Sequence, residues 1–296
     1  MDECSELSLG EYLLRFPDAH TALSDACILQ AAECGRMYCE RSEDVYKGFV
    51  CTAIGSAEEH ILYAYTRPAY RGRGIFSSLV KHVVQTGDRD VRISIPEKHP
   101  CFTEVDAVCE RLGFIPSVRM HTFTVTRSQK EQWQKIKEAG RYDACCARML
   151  CHGCEVVSFA EAGEATISQI RDSRTSGFRN PLDPSSFFTF SSRKLAGDMS
   201  FAVVKKGRLL GYTLLSRPST NAVIMEQMAV AQDVRMSGVV MIPLVCSVDR
   251  FFASDSTFFS FAIYENNLAP NRIRMRLQEQ IHIEERITRN YRKRMA

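Results

Sequence analysis

Residues 71–75, which read Arg-Gly-Arg-Gly-Ile, form the segment of this chain best suited to hold a pyrophosphate. A pyrophosphate needs several unpaired N–H donors, and the first turn of a helix supplies them together with the positive end of its dipole. Gly72 and Gly74 let the backbone approach phosphate oxygens without an intervening Cβ, while Arg71 and Arg73 add positive charge. The segment is predicted to bind a phosphorylated ligand, although a short Arg/Gly turn alone is also typical of a surface loop.

The elements predicted on either side of this turn place it where a phosphate site requires it. Residues 46–54 and 60–66 have strand composition, and the turn through Gly55 predicts that they form an antiparallel hairpin. After the turn, apolar residues recur at helical spacing: Ile75, Leu79, Val80, Val83 and Val84. The pattern predicts a strand, a phosphate-binding turn and an amphipathic helix in succession.

The same order of elements occurs in both halves of the chain. A mostly helical stretch over residues 7–39 precedes the first hairpin, and a polar helix over 129–149 connects the halves. The remaining strands are predicted at 91–95, 119–125, 155–159, 199–204, 209–215 and 222–230, with a helix over 105–112. The interval from Val230 to Arg235 equals that from Thr66 to Arg71, and a glycine follows each arginine three residues later. An internal repeat of one α/β unit is therefore predicted.

Composition bounds the class of protein. The 296 residues are 45% hydrophobic and 25% charged, as in ordinary globular proteins of two domains. A net charge of +3 does not predict a nucleic-acid partner, and the basic segment 271–296 is typical of a solvated surface. No membrane span or signal peptide is predicted, so a cytoplasmic location with 12 reduced cysteines is expected.

A family resemblance rests on residues 63–80 and on the later Leu112-Gly113-Phe114. These segments resemble the GNAT N-acetyltransferase superfamily, whose turn has Arg or Gln, two residues, Gly, one residue, then Gly or Ala. Arg71 and Gly74 match this pattern, whereas Phe76 replaces the small last residue. In the second half Arg235 and Gly238 match more faintly, and Val240 departs likewise. The resemblance implies an α/β protein of two GNAT-like units in tandem, at 1–127 and 153–296, with a junction at 128–152.

The resemblance further implies that acetyl-CoA is the co-substrate and that no metal is needed. In this family two neighbouring strands splay beside the turn, and the pantetheine pairs there like an extra strand. The positions that match the family's coenzyme site are Tyr65, Thr66, Arg71, Gly72, Arg73, Gly74, Ile75 and Phe76. The implied activity is transfer of an acetyl group to an amine by direct attack, with a small-molecule amine or a peptide as acceptor. The first unit is expected to bind the coenzyme and the second to shape the acceptor cleft.

The acid and base are less evident in the sequence. Glu226 stands where related enzymes often place a base, and Leu62 is its counterpart in the first half, with Glu59 a distant substitute. The family's acid, a Tyr in the final helix, aligns with Cys109 and with Ile273. Candidate substitutes are Tyr63, Tyr65 and Tyr264, although a tyrosine in a strand is more typical of packing.

Two alternative functions stay open at this point. The chain could be a non-catalytic acyl-CoA sensor, or an aminoacyl or long-chain acyl transferase on the same doubled fold. The spacing of Cys151 and Cys154 suggests a zinc knuckle, but no second Cys/His pair follows.

The loops over residues 171–195 are the expected acceptor contacts, and a homodimer is left open.

Overall fold

Two compact units make up the chain. The computed structural model describes residues 3–55, 58–174, 177–178, 184, 188, 195–234, 239, 241–266 and 283–294. The first unit contains Met1–Met120 together with Arg286–Ala296, and the second contains His121–Glu285. This division differs from the sequence-based boundaries, because the strand expected to close the first unit falls mainly in the second. The chain's last strand joins the first unit instead.

The first unit is built on a six-stranded sheet. Its strands follow the spatial order β1 (Glu3–Glu6), β2 (Gly35–Ser42), β3 (Val45–Ile54), β4 (Glu58–Thr66), β5 (Asp90–Pro96) and β13 (Glu284–Lys293). All neighbours are antiparallel except β4 and β5, which run parallel. A short β6 (Ile115–Pro116) also pairs with β13. The hairpin of β3 and β4 confirms the pairing predicted from the sequence.

Helices cover both faces of this sheet. On one face lie α1 (Leu9–Arg15) and α2 (Ala22–Cys34), which place Tyr12 and Ile28 in the core together with Phe16, the residue that caps α1. On the other lie α3 (Ile75–Thr86) and α4 (Phe102–Arg111), which bury Leu79, Val80, Val83 and Cys109 against the strands. The helical period predicted after residue 75 is confirmed. The sheet is therefore covered on both sides, as the continuous run of buried residues in β3 requires.

The predicted helical stretch over residues 7–39 ends at Cys34, because the chain turns into strand β2 at Gly35. An ideal Cβ at Gly35 would lie 1.7 Å from the Thr52 carbonyl oxygen on the neighbouring strand. Only glycine allows this approach, since any side chain would overlap the backbone of β3. The four consecutive buried residues from Met37 to Glu40 hide the strand's alternation in the sequence.

We expect Gly35→Ala to lower the free energy of unfolding by about 3 kcal/mol, because the methyl group forces β2 away from β3. Gly10→Ala is the matched control, since nothing lies within 4 Å of the added Cβ and the site is in helix α1. That change should raise stability by up to about 1 kcal/mol. Urea denaturation of both variants measures the difference, and equal stabilities would contradict the expected clash.

The second unit repeats the same plan. Its strands follow the order β7 (Met120–Thr126), β12 (Phe258–Tyr264), β11 (Ala222–Val230), β10 (Arg208–Ser219), β9 (Phe201–Lys205) and β8 (Cys154–Ser158). The helices among its described residues are α5 (Lys130–Gly140), α6 (Tyr142–Cys151), α7 (Glu164–Arg171) and α8 (Met241–Ala253). The single connecting helix predicted over residues 129–149 is two helices, because Arg141 adopts a left-handed conformation with φ 51°.

Strand β13 is held in the first unit by pairing and by side chains. Its register on β5 runs from Thr288 opposite Pro96 to Lys293 opposite Val91. Tyr291 is 2% exposed, packs in the core beneath α3 and α4, and donates a hydrogen bond to Asp106 (2.6 Å). Within the residues that the structure describes, no helix is long and apolar enough to cross a membrane.

Candidate functional site

The turn at residues 71–74 joins β4 to α3 in the first unit. A short 3-10 helix, Pro68–Tyr70, precedes it, and Gly74 is the N-cap of α3. The first hydrogen bond of the helix runs from the Ser78 N–H to the Gly74 carbonyl (2.9 Å). The N–H groups of the three residues between them therefore precede the helical pattern and point out of the helix end.

Two glycines open the backbone at this helix end. Gly72 and Gly74 have φ values of +75° and +81°, which L-residues with side chains rarely adopt. Nothing lies within 4 Å of a Cβ built at either position. Open space and unpaired N–H groups at the positive end of a helix dipole are what a phosphate group requires.

Cations surround the turn. The exposed Arg71 donates a hydrogen bond from Nε to the Thr66 carbonyl (3.2 Å), which closes the loop between β4 and the turn. The Arg73 guanidinium lies 5.5 Å from the centre of the Tyr70 ring, and Lys47 Nζ lies 5.9 Å from the same ring. The local charge is positive, so the turn favours an anionic ligand.

Arg111 is a member of this cluster that sequence reasoning missed. It ends α4, and its guanidinium donates a hydrogen bond to Ser77 Oγ in the first turn of α3. A cation at a helix N-terminus opposes the dipole, unless an anion binds between them. In the sequence Arg111 looks like an ordinary basic residue in the last turn of a helix, and no local signal links it to Ser77.

Strands β4 and β5 diverge beside the turn. Parallel pairing extends from Glu58 opposite Asp90 to Ile61 opposite Ile93 and goes no further, although both strands continue. A β-bulge at Leu62 shifts the register against β3 at this point. The backbone groups of β4 that face β5 beyond Ile61 are consequently left for a ligand or for water.

The second unit repeats this divergence. Parallel pairing of β11 with β12 runs from Ala222 opposite Phe258 to Met225 opposite Phe261. The register of β11 against β10 skips Glu226, which is thereby the bulged residue. Leu62 and Glu226 occupy equivalent positions, in agreement with their equal distance from the two turn arginines. The second turn, with Arg235, Gly238 and Val240, lies outside the described residues.

Comparison with solved structures links this geometry to a known fold. The tandem GNAT protein from the clavulanic acid biosynthesis pathway is similar over 99% of this chain and 98% of its own, with TM-score 0.67 and 14% identity. A GCN5-related N-acetyltransferase from Sphaerobacter thermophilus is similar over 87% of this chain and 80% of its own, with TM-score 0.58 and 14% identity. This chain has the tandem GNAT fold. A GCN5-related N-acetyltransferase from Kribbella flavida is similar over 99% and 72%, with TM-score 0.55 and 12% identity.

The predicted fold class, two GNAT-like α/β units in tandem, is confirmed by these similarities. No protein-family model and no curated protein matches the sequence. At these identities the comparison establishes the fold, and the chemistry has to be argued from the chain's own residues.

Glu226, the base predicted from the sequence, lies at the bulge of β11 in the second unit. Its side chain is half-buried at the bulge of β11, and the buried Ser216 donates a hydrogen bond to its Oε1 (2.5 Å). A hydrogen bond to a carboxylate fixes the orientation of the group. Tyr264, the other candidate in this unit, is half-buried at the end of β12. Ile273 and most of the loops over residues 171–195 lie outside the described residues.

Cys109 does not lie in a site that could donate a proton to a ligand. It is fully buried in the core between α3 and α4, and burial raises the pKa of its thiol to about 12. A neutral thiol sealed in an apolar core is typical of packing. Of the two junction cysteines with zinc-knuckle spacing, Cys154 is buried like Cys109, whereas Cys151 is exposed. No cluster of three or more metal-ligating side chains occurs among the described residues.

The tyrosines of β4 face the helices α1 and α2. Tyr63 packs beside Phe49, with ring centres 6.0 Å apart. Tyr65 donates a hydrogen bond to Asp18 (2.5 Å), and burial together with this bond raises the pKa of its hydroxyl to about 12. Burial likewise raises the pKa of Tyr12, which donates to Asp25 (2.9 Å), to about 12. Both phenols therefore stay protonated at neutral pH and act as donors.

These raised pKa values predict a loss of stability in alkali. The neutral phenols of Tyr12 and Tyr65 are favoured by folding, so their contribution is complete below pH 10 and declines as the pH rises to about 12. The double variant Tyr12→Phe/Tyr65→Phe should lose less stability over this range than the wild type. Free energies of unfolding measured at pH 9, 10 and 11 test this, and parallel curves for the two proteins would contradict it.

Proposed function

We propose that this chain is an acetyl-CoA-dependent N-acetyltransferase whose first unit binds the coenzyme. The observation that carries the proposal is the position of the glycine turn, at a helix N-terminus beside the divergence of β4 and β5. Arg71, Arg73 and Arg111 supply positive charge around the same helix end. Phosphate groups and an extended chain beyond them, as in a coenzyme A thioester, match these two features together.

In the first unit, one element would bind the pyrophosphate of acetyl-CoA and another would align its pantetheine arm. The N-terminal turn of α3 would hold the pyrophosphate, and the free edge of β4 from Tyr63 to Thr66 would pair with the pantetheine. An amine would then attack the thioester carbonyl, forming the C–N bond and breaking the C–S bond. The amine loses a proton and the departing thiolate gains one. Alignment of the two reactants supplies much of the rate.

Glu226 is our proposed proton acceptor for transfer that the second unit itself carries out, at the divergence of β11 and β12. Its bulge position matches that of Leu62 in the first unit, and its half-buried carboxylate is oriented by Ser216. The acceptor is a small-molecule amine or a peptide amine. The proposed reaction needs no metal, since alignment of the reactants and proton transfer account for it.

A second candidate function is acyl-CoA binding without transfer. Leu62 at the bulge of the first unit, and the buried Cys109 in place of the family's tyrosine, favour it. A sensor would retain the turn and the strand divergence and would lack the proton-transfer groups. The two functions therefore share the coenzyme site and differ in whether coenzyme A is released.

The test combines ligand binding with product release. Acetyl-CoA at 100 times its Kd should stabilise the wild type by about 2.7 kcal/mol, which thermal unfolding detects. Arg71→Glu should abolish this shift, because it replaces a cation of the turn by an anion. Loss of the shift in Arg71→Glu locates the coenzyme in the first unit, whereas no shift in the wild type contradicts the proposal.

Release of coenzyme A across a panel of amines then separates transferase from sensor. Where the second unit carries out transfer of its own, Glu226→Gln should lower the kcat of that transfer by about 100-fold, and the acetyl-CoA shift that Arg71→Glu abolishes in the first unit should be unchanged. Glu155→Gln, at an exposed carboxylate in the same unit, is the matched control. Binding without release for any amine favours the sensor.

A further inference from the structure

An arginine of α4 is held beside the first turn of α3 by a neutral side chain. Arg111, the last residue of α4, is exposed, and its guanidinium donates a hydrogen bond to the hydroxyl of Ser77 in α3. A guanidinium has five N–H donors, and among the described residues this is the one hydrogen bond that the side chain makes. Its other N–H groups are therefore open to a ligand that approaches α3 from outside.

Two further cations lie on the same exposed surface. Lys81 follows Ser77 by four residues in α3, so the two side chains lie on one face of the helix, one turn apart. Arg73 lies in the phosphate turn, with its guanidinium 5.5 Å from the centre of the Tyr70 ring. Both cations are exposed, and neither they nor Arg111 form an ion pair with a carboxylate of the described residues. Three cations gathered beside the positive end of a helix dipole favour an anion between them.

Coenzyme A has more phosphate groups than the glycine turn accounts for. Two form the pyrophosphate, which the unpaired N–H groups before Ser78 would hold, and the third is on the 3′-oxygen of the ribose. Pantetheine and ribose leave the pyrophosphate from opposite ends, so pantetheine on the free edge of β4 directs the ribose toward the outer surface of α3. Ser77 is three residues past the N-cap Gly74, about 4.5 Å along the helix axis. The guanidinium bound to Ser77 is thus within reach of a group on that ribose.

We infer that Arg111 binds the 3′-phosphate of coenzyme A, with Lys81 beside it, and so makes the first unit selective for coenzymes that carry this phosphate. The inference rests on the proposed function and deepens it. A guanidinium presents two parallel N–H groups to phosphate oxygens, which an ammonium group does not. Ser77 is a positioning residue, because its hydroxyl fixes where the guanidinium lies.

A purely structural role for Arg111 leads to a different expectation. A cation in the last turn of a helix stabilises that helix, and the bond to Ser77 also joins α4 to α3. Loss of such a role would weaken the binding of every ligand of the turn to the same extent. Loss of a contact to the 3′-phosphate would affect only the ligands that carry it. Pairs of ligands that differ by this one phosphate therefore separate the two roles.

The first test compares acetyl-CoA with acetyl-3′-dephospho-CoA by isothermal titration calorimetry. The wild type should bind acetyl-CoA about tenfold more tightly, because a hydrogen-bonded pair of charges is lost with the phosphate. Arg111→Met should bind acetyl-CoA about tenfold more weakly and the dephospho form with unchanged affinity, which also shows that the variant is folded. Arg111→Lys, which keeps the charge without the parallel N–H groups, should lie between them.

Lys98→Met is the matched control, since it removes an exposed cation of the first unit in the turn after β5. It should keep the wild-type ratio of affinities, because a distant surface charge is screened by salt. Equal losses for the two ligands in Arg111→Met would overturn the inference in favour of the structural role. Equal affinities of the wild type for the two ligands would overturn it as well.

The second test uses adenosine 3′,5′-bisphosphate and AMP, which differ by the same phosphate and lack pantetheine. The wild type should bind the bisphosphate more tightly than AMP, and Arg111→Met should remove the difference. Ser77→Ala should reduce the difference without changing the affinity for AMP. A difference that persists in Arg111→Met would place the 3′-phosphate elsewhere and overturn the inference.

The outcomes separate this inference from the proposed function. If the wild type binds neither of the two coenzymes, the proposed function and the role of Arg111 are overturned together. If it binds both with the same affinity, coenzyme binding stands and the role of Arg111 alone is overturned. A preference for the 3′-phosphate that Arg111→Met removes and Lys98→Met retains supports both.

Discussion

Gly74→Ala is expected to lower the affinity for acetyl-CoA at least tenfold, which corresponds to about 1.4 kcal/mol. Gly74 has φ +81° and is the N-cap of α3, where the N–H groups of the helix end face open space. A methyl group there occupies the space that a phosphate oxygen needs and also strains the left-handed backbone. The strain alone should cost about 1 kcal/mol of folding stability.

Gly207→Ala separates the two effects. Gly207 lies in the hairpin turn between β9 and β10, has φ +75°, and likewise has nothing within 4 Å of an added Cβ. The two variants should therefore lose similar stability, but only Gly74→Ala should lose affinity for acetyl-CoA in isothermal titration calorimetry. Equal affinities in the two variants would mean that the turn at 71–74 does not hold the phosphates.

The phosphate turn could be predicted because its signals are local. Arg71 and Gly74 lie within four residues, the helical period begins at Ile75, and the segment before them has the composition of a strand. The equivalence of Leu62 and Glu226 could also be inferred, since each precedes its turn arginine by nine residues. Each of the two residues forms a bulge in its strand.

The polar groups around the site could not be predicted, because long-range strand pairing brings them together. Ser94 and Asn290 are 196 residues apart in sequence. Arg111 reaches Ser77 only because α4 packs beside α3 on the sheet. Neither hydrophobic periodicity nor a short sequence motif predicts contacts between residues so far apart in the sequence.

The strand that closes the sheet of the first unit is β13, whereas the sequence analysis expects residues 119–125 in that place. Residues 120–126 alternate in burial, as does β5, against which either this strand or β13 could be expected to pair. Proximity in sequence favours the nearer strand, and so predicts a boundary at residue 127. The structure places β13 on β5 instead, where Tyr291 fills the core and Asn290 accepts a hydrogen bond from Ser94 of β5 (2.7 Å).

Removal of residues 284–296 is therefore expected to abolish acetyl-CoA binding, although the phosphate turn is more than 200 residues away in sequence. The deletion exposes the edge of β5 and removes Tyr291 from the core that α3 and α4 share with the sheet. It also removes the bonds of Arg292 to Asp90 (2.9 Å) and of Lys293 Nζ to the Leu112 carbonyl (2.7 Å). Amides of β5 should lose their protection from hydrogen exchange.

Point variants keep this prediction testable if the shortened chain does not fold. Tyr291→Ala should cost about 3–5 kcal/mol, because it leaves a cavity where a large buried side chain stood. Arg286→Ala, at an exposed position of the same strand, should be close to neutral. A synthetic peptide of residues 283–296, added to the shortened protein, should restore both the protection of β5 and the thermal shift with acetyl-CoA. If the shortened protein bound acetyl-CoA normally without the peptide, then β13 would not be needed to hold α3 and its phosphate-binding turn in place.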